Sequence, residues 1–309
     1  MRIVFAGTPE AAVPTLAAVN ERAEVSAVIT RADAPTGRRR ELTASPVAVW
    51  AQRAGLPLCK TNRLDSNAVE LIRNARPDLG IVVAYGALIP DEVLTIPRLG
   101  WINLHFSLLP AWRGAAPVQR SLAAGDPPAW SIMRVVSQLD AGPVYRQGTL
   151  DLGPDVTGGE ALTALSTEGA VQVADIVGEW ARGVQHTPTA QQGTPSYAHK
   201  LSRADGRIDW SQDVTEVYRR IRAMTPEPGA WTTLAGQTVK ILQAGPAQRL
   251  QVVGADKEGL PGRVVVDEEG VWAQCRDGFL PLRVVQPAGK TAMSARDWAR
   301  GRAHRMVFA

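Results

Sequence analysis

Three polar side chains could form a reaction centre: Asn103 and His105, two residues apart in Asn103-Leu104-His105, and Asp140 in Leu139-Asp140-Ala141-Gly142-Pro143. Residues two apart in a strand point to the same face, so an amide and an imidazole would project side by side. A carboxamide donor beside an imidazole suits negative charge developing on a carbonyl oxygen. A nearby carboxylate can orient the ring and move a proton. No cysteine and no serine on a strand-to-helix elbow accompanies them, which favours direct acyl-type transfer between two bound substrates over a covalent acyl-enzyme. A strand histidine also suits a purely structural role, and what separates the readings is whether Asn103 and Asp140 reach it.

These groups need a scaffold, and the first half of the chain supplies its pattern. Short apolar runs at residues 2–6, 25–30, 79–84, 102–105 and 131–136 alternate with helical segments, including one from about 158 to 182. Ser45 and Pro46 form an N-cap and first-turn pair for a helix through about residue 55. Such alternation predicts an α/β domain, a parallel sheet covered by helices on both faces. Ligands bind at the carboxyl ends of such strands, where His105 falls. Asp140 follows the run at 131–136 and is expected on a loop at that same end. Gly7-Thr8-Pro9-Glu10 lacks the Gly-x-Gly-x-x-Gly spacing of a dinucleotide site and reads as a tight strand-to-helix turn.

Sixteen residues, 184–199, carry no Asp, Glu, Lys or Arg and read as a linker. Short β-like runs follow at 238–242, 263–266, 271–275 and 280–285, with one helix near 214–223, the texture of a small β-barrel. The expected division is 1–183 for the sheet domain, 184–205 for the linker and 206–309 for the barrel. With 309 residues, 45% of them hydrophobic and 21% charged, the chain can bury two cores, and disorder is excluded. The most apolar uncharged stretch, 99–112, is too short to span a bilayer. Residues 1–7 lack a signal-peptide pattern, so a cytoplasmic location is expected. Cys59 and Cys275 are far apart, so neither a disulfide framework nor a metal site is expected. The charge excess lies in residues 206–309, with 15 Lys and Arg against 11 Asp and Glu. A basic surface of this kind attracts a polyanion or simply keeps the domain soluble.

Taken in order, Asn103-Leu104-His105, Ser107-Leu108-Leu109-Pro110, Trp112-Arg113-Gly114-Ala115-Ala116-Pro117 and Leu139-Asp140-Ala141-Gly142-Pro143 resemble the signature of formyltransferases that use 10-formyltetrahydrofolate. The likeness runs from Phe5-Ala6-Gly7-Thr8-Pro9 to Gln286-Pro287-Ala288-Gly289-Lys290 and Met293-Ser294-Ala295; the last two are similar to the members acting on aminoacylated initiator tRNA. The resemblance implies a Rossmann-like domain joined to an OB-like barrel. It implies formyl transfer to methionine on initiator methionyl-tRNA, with Asn103, His105 and Asp140 as the catalytic set and no metal.

It also implies a tetrahydrofolate site at Ser107, Leu108, Leu109 and Pro110, walled by Tyr85, Gly86 and Ile89. Arg38 and Arg39 fall in a loop similar to one through which the family recognises tRNA; Lys200 and Arg203 are further candidates for the RNA backbone, and a monomer is expected. Ala111 and Ala141 depart from the Arg and Thr frequent in relatives, outside the three proposed catalytic positions. A relative acting on a sugar nucleotide or glycinamide ribonucleotide, or a tRNA-binding protein without catalysis, are the competing readings. The barrel with its basic end opposes the first, and the intact Asn, His and Asp oppose the second.

Overall fold

The computed structural model describes residues 1–37, 40–246, 259–300 and 306–309. Arg38 and Arg39 lie outside them. The described chain groups into two compact units, one of Met1–Pro117, Pro128–Leu150 and Leu162–His199, the other of Val118–Pro127, Asp151–Ala161 and Lys200–Ala309.

In the first unit, β1 (Arg2–Gly7), α1 (Val13–Asn20), β2 (Glu24–Thr30), α2 (Pro46–Arg53), β3 (Leu58–Lys60), α3 (Ser66–Asn74), β4 (Leu79–Val83) and β5 (Trp101–His105) alternate as the pattern predicts. Two more strands, β6 (Ala129–Arg134) and β7 (Val144–Thr149), extend the sheet to the order β7-β6-β5-β4-β1-β2-β3. The central strands are covered on both faces, which is why β1 reads as an unbroken apolar run: Ile3, Val4, Phe5 and Ala6 are all fully buried. Ser45 Oγ accepts the Ala48 N–H at 3.0 Å and Asp65 Oδ1 that of Ala68 at 3.0 Å, capping α2 and α3.

The sheet departs from the expected parallel arrangement at one edge. β6 runs antiparallel to β5, pairing Ser131 with His105 and Arg134 with Ile102, and β7 runs antiparallel to β6. The end of β6 is thus remote from His105, and Asp140 does not follow directly from a neighbouring strand end. Residues 135–143 double back before pairing resumes at Val144 with Met133, the residue opposite Asn103.

The second unit holds a nearly closed antiparallel barrel. Its strands β8 (Ala230–Leu234), β9 (Gln237–Ala244), β10 (Arg263–Val266), β11 (Val271–Gln274), β12 (Phe279–Pro287) and β13 (Met306–Val307) take the order β8-β9-β12-β11-β10-β13. Thr233 and Ala309 exchange backbone hydrogen bonds at 3.2 and 2.9 Å, joining the carboxyl end to β8 and removing an open edge. The helix Val214–Ala223 buries Val214, Val217, Tyr218 and Ile221, one amphipathic stripe.

Residues 184–199 group with the first unit. Thr189 pairs with Val144, and Tyr197–Ala198 pairs in parallel with Arg113–Gly114. The uncharged Gln191 and Ser196 side chains trade hydrogen bonds with the loops at 112–113 and 140–142, so a lack of charge does not mean a lack of partners.

Gly80 in β4 lies against Trp101, and a methyl group at its position would overlap the indole. Trp101 is itself pinned, fully buried with Nε1 donating to the Val93 carbonyl at 2.9 Å. Gly80→Ala is expected to lower unfolding free energy by about 1–3 kcal/mol in urea titration; an unchanged midpoint would show that the indole moves freely.

Candidate active site

Asn103 and His105 leave β5 on the same face, and residues 135–143 fold Asp140 over that face. Asn103 Nδ2 donates to Asp140 Oδ1 at 3.5 Å, and His105 Nδ1 lies 3.8 Å from Asp140 Oδ2. The Gly114 N–H donates to Oδ2 at 2.8 Å, the shortest of the three contacts. Only 6% of the His105 side chain and 9% of that of Asp140 is exposed. A carboxylate so far withdrawn from water needs donors, and these three groups surround it. His105 Nε2 lies 2.9 Å from the Trp112 carbonyl. A carbonyl oxygen has no proton to give, so Nε2 is the donor in that contact, which leaves Nδ1 on the side of the Asp140 carboxylate.

The loops around this cluster concentrate left-handed backbone. Ala84 (φ 47°), Trp112 (φ 62°) and Asp140 (φ 47°) are non-glycine residues in that region, a conformation that persists only where surroundings enforce it. Gly114 (φ 120°) has a reason to be glycine: a Cβ there would stand 2.7 Å from the Ala198 carbonyl oxygen, displacing the N–H that Asp140 uses.

Asn103, His105, Gly114 and Asp140 line a cavity of about 460 Å³, together with Val82, Leu88, Phe106 and Leu139. That is the size of a small-molecule site, apolar with polar groups gathered at one place. Tyr85 and Gly86 also border it, but the Tyr85 ring is packed in the core and its hydroxyl donates to the Thr61 carbonyl at 3.1 Å. Burial pushes the Tyr85 phenol up to about 12. Ile89 lies in the same core.

The segment Ser107–Pro110 does not line this cavity. Ser107 is buried and donates to the Ala111 carbonyl at 2.6 Å, bracing the turn that presents the Trp112 carbonyl to His105. Leu108 is exposed, and Leu109 borders a separate cavity of about 330 Å³ with Val144, Tyr145 and Arg146. The Pro110 carbonyl accepts the Ser196 N–H at 3.3 Å. Which way loop residues face follows no period, so a motif places the segment and not its side chains.

In the second unit Lys200 and Arg203 are exposed, and the Arg203 guanidinium lies 4.9 Å from the centroid of the Trp231 ring. Sequence reasoning misses Gln191, whose Nε2 donates to the carbonyls of Asp140 (2.9 Å) and Gly142 (2.8 Å). No periodicity or charge marks a glutamine in such a stretch.

Residues 1–174 match the family described as formyl transferase, and residues 200–303 match the formyl transferase C-terminal domain. A methionyl-tRNA formyltransferase of Leifsonia xyli subsp. xyli is 48% identical over 302 residues, covering 97% of each chain. Among solved structures, the methionyl-tRNA formyltransferase from Clostridium thermocellum shares 17% identity at a TM-score of 0.56, covering 79% of this chain and 93% of that one. HypX from Aquifex aeolicus, in complex with tetrahydrofolic acid, shares 19% at 0.62 and covers 97% of this chain, which spans 47% of HypX. These two structural likenesses carry the fold alone. Identity near one half, sustained along almost the whole chain, carries more: the chain belongs to the formyl transferase family, in its methionyl-tRNA formyltransferase branch.

Proposed function

We propose that this chain transfers the formyl group of 10-formyltetrahydrofolate to the α-amino group of methionine esterified to initiator tRNA, acting as a monomer in the cytoplasm. The observation that carries the reading is the Asp140 carboxylate, held between Asn103 and His105 on the wall of a ligand-sized cavity. No described helix is long and apolar enough to cross a membrane.

The cavity fits the donor in character. Val82, Leu88, Phe106 and Leu139 offer apolar faces to a flat ring, and the polar groups stand together where a reacting carbonyl would lie. The bound donor would supply an electrophilic formyl carbon; as the amine attacks it negative charge develops on the formyl oxygen, and return of that electron pair breaks the bond to N10. Asn103 Nδ2 donates to that oxygen, and the His105 Nε2 proton is shared between it and the Trp112 carbonyl, so stabilisation grows with the charge. Asp140 orients both donors and takes the proton leaving the amine, which then serves N10. Ser107–Pro110 contributes to folate binding by bracing the loop behind the cavity.

The barrel unit, with Lys200 and Arg203 at its start, together with Arg38 and Arg39, supplies cations for the tRNA backbone. Phosphate contacts position RNA without reading its sequence, so selectivity rests on the shape and bases of the acceptor end.

Asp140→Asn and His105→Ala are expected to lower kcat on the order of 100-fold or more, with circular dichroism and melting temperature near those of the parent; near-normal turnover in a folded variant removes the assignment. Incubation with formyltetrahydrofolate and charged initiator tRNA should yield formylmethionine, while charged elongator methionyl-tRNA should not react. Equal formylation of both would contradict the proposed selectivity. Binding of the initiator tRNA should weaken linearly on a log-log salt plot, with a slope of roughly −0.7 to −0.9 per phosphate contacted; a flat plot would exclude the backbone contacts.

A further inference from the structure

Gln191 holds the turn that carries Asp140 from outside the cavity. Its Nε2 donates to the backbone carbonyls of Asp140 and Gly142, on both sides of Ala141. Its Oε1 accepts from Arg113 Nε at 3.2 Å and Nη2 at 2.6 Å, and Arg113 is itself buried. A guanidinium can only donate and a carbonyl can only accept, so the amide has one orientation that satisfies both sides. The segment bearing Gln191 is anchored close by, where Thr189 and Val144 exchange backbone hydrogen bonds at 2.8 Å each.

The turn needs such a hold. Asp140 adopts φ 47°, a left-handed conformation that carries a steric cost for an L-residue, although Asp tolerates it better than most. Gly142 lies so close to the Arg134 carbonyl that a Cβ would overlap it, so the return of the chain is tightly packed against β6. The 2.8 Å bond from the Gly114 N–H constrains the carboxylate from one side and Gln191 constrains the backbone from the other. We infer that Gln191 is a positioning residue for the transfer reaction: through the Asp140 and Gly142 carbonyls it sets the carboxylate in register with Asn103 and His105. The inference rests on the role proposed above for Asp140. It makes the stretch that composition marks as a linker part of the machinery that orders the site.

Gln191→Glu separates positioning from simple structural support, because it keeps an acceptor for Arg113 and removes both donors to the turn. It is compared with Gln191→Ala, each in the parent and in an Asp140→Asn background, by steady-state kinetics at saturating substrates and by thermal melting. Asp140→Asn retains the backbone carbonyl that Gln191 holds but lacks the carboxylate to be positioned. In the parent, both Gln191 variants should lower kcat about tenfold or more, as sub-ångström to ångström misplacement of a catalytic group does, while KM for each substrate changes by less than about threefold. In the Asp140→Asn background the same substitutions should change kcat by less than about twofold, because groups acting through one another are not additive.

An unchanged kcat for Gln191→Glu, or an equal fold-loss in both backgrounds, overturns the inference while leaving the role of Asp140 standing. Normal turnover of Asp140→Asn alone overturns both.

Discussion

The site depends on keeping a carboxylate almost out of water. Desolvating a charge is unfavourable by several kcal/mol unless donors replace the lost hydration, and Asp140 meets that demand with the Gly114 N–H, the Asn103 amide and the neighbouring His105 ring. Each requirement propagates outward. The Gly114 amide reaches Asp140 because residue 114 has no Cβ to strike Ala198; Asn103 and His105 reach it because they lie two apart on one strand; Asp140 reaches them because the chain reverses after β6. The sheet supplies rigidity and the loops supply direction, a division of labour common to active sites on parallel sheets.

The scaffold around this centre is conventional in its energetics. Buried strands such as β1 and the core about Tyr85, Val93 and Trp101 stabilise the sheet through apolar area. Three of the six described non-glycine residues with left-handed backbone belong to the site: Ala84 and Asp140 line the cavity, and Trp112 presents its carbonyl to His105. Backbone of that kind is retained where function over-determines it.

Much of this was legible in the residues. Alternating apolar runs gave the strands, Ser45-Pro46 gave a helix start, and the two-residue spacing of Asn103 and His105 put them on one face. The barrel followed from evenly spaced short strands. Strand direction at the sheet edge was not legible, because an apolar run such as 131–136, observed as the strand Ala129–Arg134, reads the same whether it runs parallel or antiparallel to its neighbour. Loop facing was not legible either: Ser107 turned inward and Leu108 outward although both belong to one motif. Gln191 was invisible for a third reason, since its importance lies in backbone carbonyls brought to it by folding and leaves no trace in spacing or charge.

The central claim is that the cavity bordered by Asn103, His105 and Asp140 holds the carbon that is transferred. A crystal structure with a non-transferable analogue of 10-formyltetrahydrofolate tests it most directly. The account predicts the formyl oxygen about 3 Å from Asn103 Nδ2, with Asp140 still between the amide and the imidazole. An analogue seated instead in the cavity beside Leu109, Val144 and Tyr145, with its formyl group out of reach of the carboxylate, would contradict it.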